Sequence, residues 1–382
     1  MSRFFDLVTQ QVRDLGGPAP ARPIRSSSRT HAPFVRLDKN ENPFGPSPLA
    51  VEAARAALER CNFYPDDDSA ELRVRLADHH GLQPDQVLPT AGSTALLGIL
   101  CQTLLCPGLN AITSERSFIV YSIAVKAAGG DLIEVSMRED HGFDLSAILR
   151  AINQNTRIVF IANPNNPTGT MLEAASIEQF LVQIPSHVVV VLDEAYYDFA
   201  AHFALARSVE LPRSLDYVQN QNVVVLRTFS KAHGLAGLRV GYGIGPAELL
   251  GYCARVRHTF SVSVAAQAAA QAALDDEDHI RRAVENNAEQ AELLTARLRE
   301  FGCRVLPTWA NFVYCDMGED APEIARRLRS AGVRVKPLAP WGAPTCVRVT
   351  VGTPGQNQIF LEALQKVVGA PAGPTPVGQI SS

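Results

Sequence analysis

The sequence predicts an α/β protein in which a large, doubly wound and mostly parallel sheet is followed by a smaller α+β unit. Three observations carry this. Arg157-Ile158-Val159-Phe160-Ile161-Ala162 and Val188-Val189-Val190-Val191-Leu192 are near-continuous apolar runs rich in β-branched residues, as expected of parallel strands covered on both faces. Stretches with apolar residues three and four apart alternate with such runs, the pattern of strands joined by crossover helices. A long amphipathic stretch then carries Ile280, Val284, Ala288, Ala291, Leu294 and Leu298 on one face, suited to packing a second domain onto the first.

The chain has 382 residues, 46% of them hydrophobic and 19% charged, with a net charge of −4. That length accommodates two domains or one large α/β domain with additions. A mildly acidic balance without a basic block argues against nucleic acid and anionic membrane as partners. No run approaches the ~20 apolar residues of a membrane span. The N-terminal MSRFFDLVTQQVRD carries charges where a signal peptide needs an apolar core. The seven cysteines are scattered without a C-x-x-C pair, which fits reduced thiols in a cytoplasmic protein and neither a metal site nor a disulfide framework.

Residues 1–45 read as an N-terminal arm, rich in Pro, Ser, Arg and Gly as far as Pro33. Residues 36–46, at the boundary with the next domain, hold Asn42 and its polar neighbours ahead of prolines; the stretch is either a connector or a source of fixed polar groups for a cleft. The large domain is expected over 46–270. Pro48 to Cys61 reads as a helix, residues 62–66 as a loop presenting Tyr64, and Glu71 to His80 as a second helix. Val87-Leu88 is a strand end running into Gly92-Ser93-Thr94, with an apolar helix from Ala95 to Leu105 after it. That turn suits a phosphate at a helix N-terminus, or Ser93 or Thr94 is an ordinary N-cap. Strands at 111–113 and 132–135 flank a helix from Phe118 to Ala128, and a helix near Ser176 to Val182 joins the two apolar runs.

Ligands of doubly wound sheets bind beyond the strands' carboxyl ends, and three motifs fall there. Residues 163–169, Asn-Pro-Asn-Asn-Pro-Thr-Gly, make a tight loop with fixed Asn side chains, or an ordinary turn. Asp193, at the end of a buried strand, needs a partner: a protonated ring nitrogen would serve, as would an N-cap or an internal salt bridge. Tyr196 stands three residues on, able to donate to the same ligand. Lys231 follows the apolar run Val223-Val224-Val225-Leu226, flanked by Thr228 and Ser230, with Arg239 eight residues later. An imine-forming lysine needs a site that strips its proton and a phosphate held nearby; a surface lysine is the ordinary alternative.

Ala247 to Arg257 reads as a helix and His258 to Val264 as an irregular link. The small α+β domain, 271–368, offers strands at 303–306, 311–315, 333–336 and 346–351. Arg348 lies inside the last of these, where a charge needs an anion, either a substrate group or an internal Asp or Glu. The tail, 369–382, reads as disordered.

These motifs, with residues 38–46 (D-K-N-E-N-P-F-G-P), 228–241 and 346–353, resemble in order and spacing the fold-type I pyridoxal-phosphate aminotransferases. The likeness is greatest to the histidinol-phosphate aminotransferase group and runs from about Leu37 to Val368. The resemblance implies that Lys231 binds pyridoxal 5'-phosphate as an imine and later shuttles the proton between the substrate and the cofactor. It implies that Asp193 keeps the pyridine nitrogen protonated, and that Tyr196 and Asn166 bond the ring's phenolic oxygen. Ser93, Thr94, Thr228, Ser230 and Arg239 correspond to the phosphate cup, and Phe118 to the aromatic stacked on the ring. Tyr64 corresponds to a tyrosine reaching the neighbouring subunit's cofactor, hence a homodimer with shared sites. Arg348 corresponds to the arginine gripping the substrate's acidic group, with Lys336, Asn42 and Asn166 as further substrate contacts.

Two departures stand out: the phosphate turn lacks the acidic residues often found after it, and Lys336 stands near where phosphate-substrate enzymes usually carry arginine. The implied reaction is transamination between histidinol phosphate and the 2-oxoglutarate/glutamate pair. The alternatives are an aromatic or other amino-acid aminotransferase, a related lyase such as threonine-phosphate decarboxylase, or a cofactor-binding regulator. The last is disfavoured because only about forty residues precede the domain, without a helix-turn-helix pattern.

Overall fold

The computed structural model describes residues 7–15, 34–220 and 222–369. After the two-residue strand β1 (Val35–Arg36), seven strands form one sheet: β2 (Val87–Thr90), β3 (Asn110–Ser114), β4 (Asp131–Val135), β5 (Thr156–Ala162), β6 (Val189–Asp193), β7 (Val223–Thr228) and β8 (Gly241–Ile244). Their order is β2-β8-β7-β6-β5-β3-β4. Strands β3 to β7 pair in parallel, while β8 runs antiparallel to both β7 and β2. All five residues of β6 are buried, which is why its sequence shows no apolar–polar alternation. Phe160 is 0% exposed, so truncating it to Ala would cost about 3–5 kcal/mol.

The sequence analysis offered no expectation for strand β8, whose segment Gly241-Tyr242-Gly243 is rich in glycine. The glycines are there because the helix Ser93–Leu104 comes very close: a Cβ at Gly243 would stand 2.2 Å from Leu96 Cδ2. The helices Tyr197–Arg207 and Ser214–Asn220 occupy a stretch for which the sequence offered no expectation. The stretch read as a link ends at Ser263, whose side chain accepts from Ala266 N and caps a helix, Val264–Ala273. That helix packs on Pro48–Leu58.

The long amphipathic helix is Glu277–Glu300, opened by Asp276, which accepts from the backbone N–H of His279. Its buried Leu294 and Leu298 lie on a second core with Val313, Val349 and Phe360. Around them stands a four-stranded antiparallel sheet. Its strands are β9 (Arg304–Val305), β10 (Phe312–Asp316), β12 (Lys336–Pro337) and β13 (Cys346–Thr350), in the order β12-β13-β10-β9. The expected strand at 333–336 is divided. β11 (Val333–Arg334) pairs in parallel with β1, and β12 pairs with β13 so that Lys336 stands opposite Arg348. The end of the expected arm is thus a strand beside the smaller sheet.

The helix Gln10–Asp14, from the same arm, lies against Val120–Ala127. The tail expected to be disordered lies, beyond Gly369, outside the described residues. Among the described residues no helix is long and apolar enough to cross a membrane.

Candidate active site

A cavity of about 500 Å³ opens beyond the carboxyl ends of β5, β6 and β7, roofed by residues 38–41 and by the smaller sheet's β12 and β13. It is the crevice a doubly wound sheet offers to a ligand. Ser93, Thr94, Phe118, Asn166, Asp193 and Tyr196 line it, as do Thr228, Ser230, Lys231, Arg239, Lys336 and Arg348. Twelve residues singled out in the sequence are therefore brought together from seven separate segments.

Asp193 ends β6 with 6% exposure. Its Oδ2 accepts from Tyr121 Oη at 3.0 Å and its Oδ1 from Ala195 N at 3.2 Å. Among the described residues it has no ion pair and caps no helix, because Tyr196 is the N-cap of the helix that follows. Burial pushes its carboxyl up to about 6, against the lowering effect of the Tyr121 hydrogen bond. A cation held in the cavity would favour the ionised form of a carboxylate in so dry a site. The neighbouring Glu194, by contrast, is spent on a structural pair with Arg227, Nη2 to Oε2 at 2.7 Å.

Lys231 follows β7 and donates from Nζ to the carbonyls of Lys39 and Asn40, both at 3.2 Å. Loss of hydration, with Arg348 nearby, lowers its ammonium to about 7; Glu41 and Asp193 oppose the shift. This is the proton lability an imine-forming lysine needs. It is not a free surface lysine.

At the turn after β2 the N-cap is Gly92, and no side chain caps the helix Ser93–Leu104. Ser93 and Thr94 are therefore inside the first turn, and the helix presents uncapped N–H groups to the cavity. Thr228 Oγ1 donates to Ser230 Oγ at 3.0 Å, and Arg239 Nη1 donates to the same oxygen at 3.3 Å. A Cβ on Gly92 would stand 2.5 Å from Arg239 Nη2, so only a glycine lets the guanidinium reach the turn. Two hydroxyls, a guanidinium and a helix N-terminus make a cradle for one dianion.

The loop after β5 is not an ordinary turn. Its Asn163-Pro164 and Asn166-Pro167 peptides are cis. Asn163 clasps Leu172 through both amide atoms, and Asn165 ties the loop to Ser117 and to the Arg116 carbonyl. What is left facing the cavity is Asn166. Its Oδ1 accepts from Arg348 Nη1 at 2.5 Å, while Arg348 Nη2 donates to the Asp38 carbonyl at 3.0 Å.

Arg348 is 6% exposed, and its Nε is buried without a partner among the described residues. Burial lowers its basicity, and no ion pair compensates it among the described residues. Beside it the Lys336 ammonium lies 5.3 Å from the Trp341 ring centroid, and burial and Arg348 together lower it too.

Two expected contacts stand elsewhere. Asn42 does not line the cavity; its amide donates to the Ala232 carbonyl at 2.7 Å, beneath the lysine loop. Tyr64 is 81% exposed and stacks on Phe260 with centroids 4.5 Å apart.

Sequence reasoning missed Asn40 and Trp341. Asn40, at φ 56°, donates from its amide to Tyr196 Oη at 2.8 Å. Trp341 lines the cavity and donates from Nε1 to the Ser117 carbonyl at 2.9 Å, closing the smaller sheet onto the Phe118 loop. Residues 38–46 carried a signal for Asn40, since Asn in αL is a recognised turn device; nothing marked Trp341.

The model of the family "aminotransferase class I and II" matches residues 32–364. The chain belongs to that family. Curated relatives include histidinol-phosphate aminotransferase 2 of Pseudomonas fluorescens strain Pf0-1, 42% identical over 370 residues, covering 96% of this chain and 98% of the relative. The enzyme of the same name from Pseudomonas aeruginosa is 42% identical over 373 residues, covering 96% and 99%. Among solved structures, the histidinol-phosphate aminotransferase of Sinorhizobium meliloti in complex with pyridoxal-5'-phosphate superposes with a TM-score of 0.83 at 29% identity, covering 95% of this chain and 98% of that one. A Thermus thermophilus aspartate aminotransferase mutant gives 0.77 at 27% identity, covering 91% and 100%.

Aminotransferases of this family use pyridoxal phosphate. The residues present fit that group: the dianion cradle, the buried carboxylate lacking a cation and the lysine of lowered basicity all face one cavity.

Proposed function

We propose that this aminotransferase takes its amino group from histidinol phosphate and works with the 2-oxoglutarate/glutamate pair. The observation that carries the proposal is the pairing of Arg348 with Lys336. Two partly or fully buried cations line one end of the cavity, and the Arg348 Nε lacks a partner among the described residues. An anionic substrate group is the complement such a site lacks. The 42% identity to enzymes named for histidinol phosphate supports a phosphate as that group.

Pyridoxal phosphate, when bound, supplies the electron sink into which the electrons of the substrate's broken Cα–H bond move. The chain's residues do the rest. Ser93, Thr94, Thr228, Ser230 and Arg239 hold the phosphate of the cofactor, and Phe118 covers one face of its ring. Asp193 holds a proton on the ring nitrogen; Tyr196 and Asn166 bond the phenolic oxygen. Lys231, lowered to about 7, can take a proton from Cα and return it at near-neutral pH. Arg348 binds the phosphate of one substrate and a carboxylate of the other through its planar fork, and Lys336 adds a point charge.

The same reading takes residues 46–270 and 271–368 as two bodies flanking the cavity. It places Tyr64 in the site of a partner subunit of a symmetric homodimer, consistent with its exposure here. It also places the enzyme in the cytoplasm. A donor screen on purified protein tests it. Histidinol phosphate should be the preferred donor. Far better turnover of phenylalanine or tyrosine would replace the proposal with an aromatic aminotransferase, and release of carbon dioxide from threonine phosphate would replace it with a lyase.

A further inference from the structure

The chain passes between the two sheets twice, and both passages meet under the lysine loop. The first leaves β1 through Leu37, whose carbonyl accepts from Thr350 N of β13, and enters the helix Pro48–Leu58. The second leaves the helix Val264–Ala273 and enters Glu277–Glu300, which packs on β9 and β10. Ser47 Oγ donates to Asp276 Oδ2 at 2.6 Å and joins the two.

Between them sits Asn42, 9% exposed. Its Oδ1 accepts from Phe44 N at 2.9 Å, which fixes the orientation of the amide. Its Nδ2 then donates to the Ala232 carbonyl at 2.7 Å and meets His279 Nε2 at 3.3 Å. An amide nitrogen can only donate, so His279 Nε2 accepts, and the imidazole is neutral. His279 is 8% exposed, and burial lowers its imidazole below the ordinary value.

The fit around this cluster is tight. Ser47 N donates to the His233 carbonyl at 3.3 Å. Gly234, at φ +73°, would place a Cβ 2.1 Å from the Gly45 carbonyl oxygen. The residues immediately after Lys231 are thus held from below by both passages at once.

We propose that Asn42 and His279 are positioning residues: their hydrogen-bonded chain to the Ala232 carbonyl fixes the lysine loop, and with it the reach of Lys231 into the cavity. This rests on the reading of Lys231 as the cofactor lysine. Without the chain, the loop relaxes downward and the Lys231 side chain gains access to water. Burial is the main cause of the lowered Lys231 basicity; the charged and titratable groups that face it are Arg348, Glu41, Arg239 and Asp193, with the Tyr196 ring centroid 5.6 Å from Nζ, and none of them is altered by changes at Asn42 or His279.

The test uses the full-length chain freed of cofactor, with acetylation of Lys231 by acetic anhydride followed by mass spectrometry as a function of pH. In the wild type the labelling midpoint should lie near 7. Asn42→Ala should raise it by at least about one pH unit, toward the ordinary lysine value. His279→Ala should move it the same way by less. His279→Gln, which keeps a neutral acceptor, should restore it. In the loaded enzyme, Asn42→Ala should lower kcat about tenfold with KM changed less than about threefold, the signature of a lost positioning hydrogen bond.

A folded Asn42→Ala protein with an unchanged midpoint and kcat would overturn the proposal. Should Asn42→Ala not fold, the two His279 variants decide: equal behaviour of Ala and Gln also overturns it. Borohydride trapping of the cofactor on another lysine would overturn the reading of Lys231 instead, while the labelling midpoint would still decide whether Asn42 and His279 hold that side chain.

Discussion

At the Asp193 end of the cavity the polar groups are held by neutral donors and acceptors, whereas at the Arg348 end two cations line the wall with no carboxylate within ion-pair distance among the described residues. Asp193 has Tyr121 and Ala195, and Arg239 has Ser230. Among the described residues Arg348 bonds an amide oxygen and a backbone carbonyl, and its Nε has no partner. Asp38 and Glu41 also line the cavity, but Glu41 is paired with Arg36 at 2.7 Å, and Asp38 Oδ1 is buried without a partner among the described residues. On the proposed reading the difference separates chemistry from selection: the first end would be preorganised for a fixed group that is always the same, and the second would keep positive charge for anions that come and go.

The sharpest break in the comparison is at Lys231. Lys231→Ala should abolish turnover, a loss on the order of 10⁴-fold or more, and leave no borohydride-trapped cofactor at that position. A protein that still binds cofactor would show that the preorganised end survives without its reactive group.

Asp193→Asn comes next. Losing a charge-assisted bond of roughly 1.5–3 kcal/mol, together with the proton it secures on the ring, should slow each half-reaction by orders of magnitude. The cofactor-free chain should respond in the opposite sense. The Asp193 carboxyl at about 6 lies above its ordinary 3.8, so the folded chain binds a proton that the unfolded chain has released. The group therefore lowers stability progressively as pH rises from about 4 to about 6, and the cost persists above that range. The cofactor-free Asn variant should be more stable than wild type at pH 7 by up to about 3 kcal/mol, and equal to it below about pH 4, in urea titrations.

Arg348→Ala should cripple both half-reactions, mainly through KM, because phosphate and carboxylate share its fork. The expected loss in kcat/KM is about 10–100-fold for each substrate, measured in steady state. Loss confined to one of them would separate the two anion sites.

How far the sequence disclosed each end follows from how each is built. Asp193, Tyr196, Lys231 and Arg239 lie in short continuous motifs at strand ends, where apolar runs announce the strand and the polar residue after it stands out. At the other end the roof comes from residues 38–41, Lys336, Trp341 and Arg348, joined only by folding. Which residues of 38–46 face the cavity depends on one αL turn at Asn40. That turn puts Asn40 on Tyr196 and sends Asn42 beneath the lysine loop. Lys336 meets Arg348 because the strand read at 333–336 is divided, a register set by β1 and β13. Strand β8 was hidden by glycines that serve helix packing rather than a turn. The apolar pattern could reveal layers; it could not reveal which polar side chain of a connector turns inward.

The central claim is that the cations at the Arg348 end select a phosphate, and Lys336→Ala tests it most directly. The measurement is kcat/KM for histidinol phosphate and for glutamate, in wild type and variant, under identical conditions. The expected result is a fall of about tenfold for histidinol phosphate, from losing one charge on a dianion, and of less than about threefold for glutamate. Equal losses for the two substrates, or no loss for histidinol phosphate, would contradict it.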